Sequence, residues 1–412
     1  MRRTVGDQSV MEHTVIIGGG AAGFFAAISL AQRQRGGQIT ILERGRSVLE
    51  KVRISGGGRC NVTHACFDPR ELVKYYPRGG RELLGPFHKF ACGDTMGWFA
   101  DRGVPLKIED DGRVFPESDT SQSIIDCLWR EAKQAGVKVV TGARVTELNS
   151  PAPRRPSWLI KVGEQHMEAD RVVVTTGSNT GVWDMLRKLG HRLVDPVPSL
   201  FAFNIADKSL RALSGVSLPW AQLEIEGEKL QADGPLLITH KGLSGPAVLR
   251  LSAWGARNLH PLAYNFTLIV NWLARRPEDV REDLIETRNS RSRQQIGTRP
   301  PVDLPARLWH MLIIQAGVSA EGQWAQLSNP ELAKLVEVLT GSRYRVNGKA
   351  TNKDEFTTAG GLALEELDFR DFQSKVHPGL FLAGEVLDID AITGGFNFQA
   401  AWTGGYLIGQ AG

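Results

Sequence analysis

Cysteine is scarce, with four residues in a chain of 412. Cys60, Cys66, Cys92 and Cys127 show no Cys-x-x-Cys spacing. No disulfide framework and no metal site is therefore expected, and the thiols read as the reduced ones of a cytoplasmic protein. No apolar run of about 18 residues occurs, which argues against a spanning helix and against a membrane partner. The first dozen residues hold Arg2 and Arg3 but no apolar core, so no signal peptide is expected. Charge of one sign is also lacking, because 49 Lys and Arg face 45 Asp and Glu. A nucleic-acid partner is thus possible but not favoured by composition, and the basic clusters Arg33 to Arg35 and Arg288 to Arg299 read as solvated faces.

What is present begins at Val15-Ile-Ile-Gly18-Gly-Gly20-Ala-Ala-Gly23, followed by Ile39-Thr-Ile-Leu-Glu43. Branched apolar residues make a buried strand. Gly18, Gly20 and Gly23 then permit the tight turn, the approach of backbone to a pyrophosphate, and close helix packing. The helix from Ala21 to Ala31 directs its N-terminal amides at the phosphates, and Glu43 suits the adenosine ribose. The chain exceeds what one core usually serves, so two or more domains are expected.

Lys51-Val-Arg-Ile-Ser55-Gly56-Gly57-Gly58-Arg59-Cys60-Asn61 is too rich in glycine for a regular helix or strand and suits backbone approach to a ligand. Helical periodicity covers Arg81 to Arg102 and Ser121 to Ala135. Strands are expected at 137–140, 143–147 and 171–174, all in a parallel, doubly wound sheet. From Pro196 the pattern changes to short alternating strands at 202–205, 221–225, 236–239 and 265–270, and charged helices then run from Pro277 to Thr340. The fold class is α/β: a Rossmann-type dinucleotide-binding domain interrupted by an antiparallel insert that carries a helical subdomain. The expected boundaries are 1–195 and 345–412 for the Rossmann domain and 196–344 for the insert, its β part at 196–275 and its cap at 276–344.

Only one Gly-x-Gly-x-x-Gly is present, which implies a single bound dinucleotide. The late strand Gly379 to Glu385 and the Gly394-Gly395 helix start point to FAD, because an extended cofactor needs a returning segment at its flavin end. Backbone amides of Gly395, Phe396 and Asn397 would stabilise negative charge on the reduced ring.

Ser55 to Asn61, Thr239-His-Lys-Gly-Leu-Ser-Gly-Pro-Ala-Val-Leu249, Thr358-Ala-Gly-Gly361, Gly384-Glu385-Val-Leu-Asp388 and Gly394-Gly-Phe-Asn-Phe-Gln399, taken with the first turn, resemble the BaiN-like family of NAD(P)/FAD-dependent oxidoreductases. The resemblance runs from about residue 14 to the C-terminus and implies a Rossmann-type FAD-binding domain interrupted by an antiparallel β-barrel-like insert with a helical cap. It implies that Gly18, Gly20, Ala21, Ala22 and Gly23 cradle the pyrophosphate, with Glu43 and Arg44 at the ribose and Val145 at the adenine. Lys51 and Ser55 to Asn61, with Thr176 and Gly177, would flank the middle of the cofactor. Gly384, Glu385, Asp388 and Gly394 to Asn397 would hold its ribityl and flavin ends. Relatives usually carry Gly-Gly-Tyr-Asn where this chain has Phe396, which puts any role of that phenol in doubt.

Catalytic residues are harder to name. His240, next to Lys241, is a weak candidate for proton donor, since a lone His in a turn is more often structural. Cys60 is read as a small structural residue before a redox thiol, and Arg59 as a contact to phosphate or carboxylate. Asp388 and Asp390 either orient the loop or cap a turn. The expected activity is hydride transfer between flavin N5 and a small organic substrate bound between the Rossmann face and the insert, with NAD(P)H as transient donor. The resemblance implies reduction of conjugated enones. FAD-dependent modification of RNA, including reduction of the uracil C5=C6 bond, is the second class, and a non-catalytic flavin-binding redox sensor is the third. Substrate identity, direction, the choice between NADH and NADPH, and oligomeric state stay open.

Overall fold

The computed structural model describes residues 12–33, 37–350 and 357–411. The expectations about Arg2, Arg3 and Arg35 lie outside the described residues. The chain divides into two compact units, one of residues 1–196 with 357–412 and one of residues 197–356. No described helix is long and apolar enough to cross a membrane.

In the first unit, β1 (His13–Ile17) lies between β2 (Gln38–Leu42) and the strand Arg171–Val174, all parallel. Lys138–Val140 extends the parallel sheet on one side and Leu380–Leu382 on the other, and two short antiparallel strands finish the edge. Both faces of this sheet are covered, so β1 and its neighbour read as continuous apolar runs, with Val15, Ile16 and Val172 to Val174 at 0% exposure. The order places β1 where the sheet changes direction of growth, which is where ligands of such sheets bind. Helix α1 (Ala21–Arg33) packs on the C-terminal helix Phe396–Gln410 at very short range. A Cβ on Gly405 would lie 2.7 Å from Ala22 O, and one on Gly409 would lie 2.2 Å from Ser29 Cβ.

Three local expectations are corrected here. Val145–Asn149 belongs to a separate antiparallel meander with Trp158–Val162 and Gln165–Ala169; only Val145 and Leu148 are buried and the register shifts between Val145 and Glu147, unlike the continuous apolar strands of the parallel sheet. The helical stretch 81–102 is two helices, Gly80–Phe87 and Cys92–Ala100, with Pro86 near the end of the first. Helix also persists further than expected into the glycine-rich segment: Glu50–Ile54 is helical, and the chain then turns through left-handed backbone at Gly56, Gly57 and Gly58.

The second unit is built on a closed antiparallel barrel, in the order Ala202–Ile205, Gly242–Ser244, Gln231–Thr239, Ser217–Ile225, Asn265–Asn271, Ser342–Ala350. Helices Pro277–Ser290, Ala306–Gln315 and Asn329–Gly341 follow the fifth strand. Trp272 Nε1 donates to Ser342 Oγ at 3.0 Å, and Trp309 Nε1 to Ile296 O at 2.9 Å, so these two indoles enter the core with their donors satisfied. The expected return at 345 falls inside the sixth barrel strand. That strand alternates buried and exposed residues and closes the barrel, so the return comes at 357. The strands leading out of and back into the first unit, Leu193–Ser199 and Thr357–Leu362, pair with each other.

Candidate functional site

The turn after β1 is fixed by contacts only glycine permits. Gly18 has φ +112°, and its Cβ would lie 2.6 Å from Thr175 O; a Cβ on Gly23 would lie 2.1 Å from Gly18 O. Thr175 completes the lock by donating from Oγ1 to Gly18 O at 2.9 Å. At Gly20, by contrast, an added Cβ meets no atom within 4 Å. The first two glycine contacts hold strand to helix. The third leaves open space over the N-terminus of α1, where Ala21 and Ala22 begin the helix, and so admits a phosphate.

Glu43 stands at the end of β2 with its carboxylate fixed by two backbone amides, Gly19 N at 2.9 Å and Gly45 N at 2.7 Å. Its remaining lone pairs are available to ribose hydroxyls. Arg44 beside it is exposed. Ala143 N–H donates to Glu43 O at 2.8 Å, and buried Val145 lies two residues further along.

Toward the middle of the site, Lys51 forms an ion pair with Glu385, and a Cβ on Gly177 would sit 3.6 Å from Glu385 Oε2 and 3.9 Å from Lys51 Nζ. Thr176 Oγ1 is enclosed and has no hydrogen-bond partner among the described residues. Gly384, at φ +79°, brings its backbone against Ala22. Gly56, Gly57 and Gly58 all have positive φ, and added Cβ atoms on Gly57 and Gly58 would point into open space. An enclosed hydroxyl without a partner, a vacant phosphate position at Gly20 and an exposed glycine backbone together fit an extended dinucleotide such as FAD. Asp388 lies on the same returning segment, its amide bonded to Leu362 O at 3.1 Å.

At the far end the structure reassigns several side chains. With its amide oriented to satisfy both ends, Asn61 accepts from Gly395 N at 3.0 Å and donates to Thr63 O at 2.9 Å. Asn61 therefore shapes the loop, and the Gly395 amide is already engaged. Asn397 holds Ala391 through N–H at 3.0 Å and O at 3.2 Å, so its side chain closes the loop 391–397. The ring of Phe396 is 1% exposed and stacks on Tyr75 at 4.4 Å. At the helix start, the backbone amides of Phe396 and Asn397 are groups that can meet a flavin. Gly394, at φ +135°, turns the chain into this position.

One further expectation changes, at Arg59. The Arg59 guanidinium is held by Glu109 at 2.6 Å and Asp119 at 3.3 Å and lies 3.9 Å over the Phe115 ring, so it is no free phosphate clamp. Cys60 is fully buried, and burial pushes its thiol up to about 12, which leaves it without the thiolate a redox sensor needs. His240 lies exposed, just past the strand that ends at Thr239, in a turn ordered by Thr239 Oγ1, which accepts from Lys241 N and Gly242 N. It is a turn residue of the second unit.

Sequence reasoning missed the groups that hold the flavin-end loop. Arg78 forms a bidentate ion pair with buried Asp390, which settles Asp390 as an orienting residue. Tyr76 Oη donates to Phe396 O at 2.6 Å. Gln399 Oε1 accepts from Thr63 at 2.6 Å and Thr95 at 2.9 Å, in a network where all three residues are 0% exposed. The only local signal was the polar Gln399 within an apolar helix. Its partners are some 300 residues away in the chain.

The family model described as the HI0933-like protein Rossmann domain matches residues 12–411. A ribosomal RNA dihydrouridine synthase of Haemophilus influenzae is 27% identical over 97% of this chain and 98% of its own. A 3-dehydro-bile acid delta(4,6)-reductase of Clostridium scindens is 28% identical over 97% of this chain and 99% of its own. Among solved structures, a 3-ketosteroid-delta4-(5alpha)-dehydrogenase from Rhodococcus jostii RHA1 shares the fold with a TM-score of 0.51 at 16% identity, covering 99% of this chain and 98% of that one.

Proposed function

Because the chain belongs to the HI0933-like Rossmann family, a family of FAD-dependent oxidoreductases, we propose that it reduces a carbon–carbon double bond conjugated to a carbonyl, with NAD(P)H as electron donor. One observation carries this reading: two relatives similar to this chain over nearly their whole length bear names that share that chemistry. A delta(4,6)-reductase acting on a 3-dehydro compound saturates an enone, and forming dihydrouridine saturates the uracil C5=C6 bond, which is conjugated to its C4 carbonyl.

FAD supplies the hydride chemistry when bound. The protein's part is to hold it. The turn at Gly18 to Gly23 and the N-terminus of α1 receive the pyrophosphate, Glu43 the ribose, Thr176 and the Lys51–Glu385 pair the middle, and the amides at Phe396 and Asn397 the electron-rich edge of the ring. The loop carrying those amides is pinned by Arg78, Tyr76, Asn61 and Gln399, so the donors are oriented before the reaction begins.

A second reading, uracil within RNA as substrate, is favoured by the dihydrouridine synthase at 27% identity. One experiment tests both. The purified protein is reduced anaerobically with NADH or NADPH, and reoxidation is followed on adding a steroid 4-en-3-one or a uridine-rich RNA. Reoxidation by either, with a saturated product, is the expected result. A protein that binds no FAD, or whose reduced flavin neither class of acceptor reoxidises, refutes the proposal.

A further inference from the structure

The helical part of the second unit carries positive charge that the fold does not cancel. Between Glu286 and Asp303 the chain has four arginines, Arg288, Arg291, Arg293 and Arg299, and no acidic residue. Just before this stretch the arginines are paired, Arg275 with Asp283 at 2.6 Å and Arg276 with Asp279 at 2.8 Å. Arg291, Arg293 and Arg299 form no ion pair among the described residues, and Arg293 and Arg299 are exposed. Arg288 lies in the last turn of helix Pro277–Ser290, where a cation complements the helix dipole, and it donates to Leu327 O at 3.2 Å and Asn329 Oδ1 at 2.9 Å. Those acceptors are neutral, so Arg288 is anchored with its charge intact. The dipole's influence ends within that turn and accounts for neither Arg293 nor Arg299.

The backbone beneath these side chains is fixed. Ile296 is 2% exposed, its N–H donates to Gly322 O at 2.9 Å, and its carbonyl accepts from Trp309 Nε1 at 2.9 Å. Gly297 N donates to Ala320 O at 2.8 Å, while Gln294 O and Ser292 O accept from Trp324 N at 3.0 Å and Ala325 N at 2.9 Å. The charges stand on a held loop, so a ligand has only side chains to order. The one acid of the packed segment 318–323 is Glu321, whose Oε2 accepts from Ser319 Oγ at 3.2 Å.

The chemistry of the surface selects its partner. Guanidinium groups bind phosphate bidentately, and Asn289, Gln294, Gln295 and Thr298 add exposed neutral donors among them. Arginine with amide and hydroxyl donors is the set that holds a protein on a nucleic-acid backbone. Ile296 is the only apolar residue from 288 to 299, and it is buried, so nothing here inserts into a lipid surface. We propose that loop 291–299 is an RNA-docking surface, on which Arg291, Arg293 and Arg299 bind backbone phosphates. It lies wholly within the second unit. The inference rests on the reading in which RNA carries the substrate uracil, and it adds where such an RNA is held.

The test compares the FAD holoenzyme with the triple variant Arg291→Gln, Arg293→Gln, Arg299→Gln and with the matching triple Lys variant. Binding of a labelled RNA hairpin with a uridine-rich loop is followed over roughly 50 to 200 mM salt, with Tm and flavin content measured alongside. The Gln variant is expected to keep wild-type Tm and flavin content, to bind RNA at least tenfold more weakly at low salt, and to lose about 2 from the slope of log affinity against log salt. The Lys variant is expected to keep most of that slope, because the charges remain. Wild-type RNA affinity in the Gln variant overturns the proposal, as does a wild-type protein that binds no RNA at low salt or that polyglutamate occupies as tightly as RNA. RNA that reoxidises the reduced flavin equally well in wild type and Gln variant removes the surface and leaves the RNA reading standing. RNA that binds through the arginines and never reoxidises the flavin upholds the surface and sinks that reading.

Discussion

Gly20→Ala separates cofactor binding from folding. Its Cβ would meet no protein atom within 4 Å, so the apoprotein has nothing to push against. Gly20 immediately precedes α1, and exchanging one uncapped residue for another there changes stability by less than about 1 kcal/mol. With FAD the same methyl occupies the pyrophosphate position. Loss of one charge-assisted hydrogen bond, about 1.5–3 kcal/mol, weakens affinity by roughly 10- to 150-fold. With FAD at one hundred times the wild-type Kd, ligand binding stabilises the fold by about 2.7 kcal/mol, and a thirtyfold weaker Kd lowers this to about 0.9 kcal/mol. For a unit of roughly 250 residues that difference removes about 4–7 °C of the FAD-induced rise in Tm. The assay is a thermal melt with and without FAD, paired with Gly23→Ala, whose Cβ at 2.1 Å from Gly18 O lowers the melting point of the apoprotein itself. A Gly20→Ala protein with wild-type FAD affinity, or one as unstable without FAD as Gly23→Ala, refutes the assignment of the phosphate to this turn.

Gln399→Leu leaves the Thr63 and Thr95 hydroxyls buried without an acceptor, and denaturant unfolding is expected to show a loss of about 2–5 kcal/mol; a loss below about 1 kcal/mol contradicts the network. Cys60 is expected to resist iodoacetamide at pH 8 in the native protein and to react on unfolding, as mass spectrometry of the labelled peptide will show. His191 is enclosed beside Glu366 at 2.7 Å, and burial lowers its pKa below the ordinary value of about 6.5. The unfolded chain therefore takes up this proton first as pH falls, so the contribution is full above about 6.5 and is lost as pH drops through the folded value; His191→Asn should flatten that acid limb. His240→Ala should leave the rate of substrate reduction within about twofold of wild type, whereas a hundredfold loss would restore His240 as a proton donor.

The cofactor half of the site was legible in the sequence because it is made of backbone. Gly18, Gly23, Gly56 to Gly58, Gly384 and Gly394 occupy conformations or contacts that no side chain allows, and a glycine standing where a strand meets a helix announces that constraint. Four barrel strands were legible by alternation; Gly242–Ser244 is too short to alternate, and Ser342–Ala350 went unrecognised because long helices separate it from the fifth strand. Arg59, Asn61 and Asn397 were misjudged for a different reason. Their residue types suit a ligand and a fold equally, and Glu109, Gly395 and Ala391 are brought to them only by tertiary structure.

That distinction also bears on where substrate chemistry resides. Around the flavin-end loop, Tyr76 is bonded to Phe396 O, Asn397 to Ala391, Asn61 to Gly395, Arg78 to Asp390 and Gln399 to two threonines. Each group is already engaged within the fold, and the Phe396 ring is packed on Tyr75. A polar group already satisfied by its own fold gains little from a substrate, since binding exchanges one hydrogen bond for another. An enclosed donor or acceptor left unsatisfied gains the whole bond. By that criterion the Rossmann unit is built to orient a cofactor.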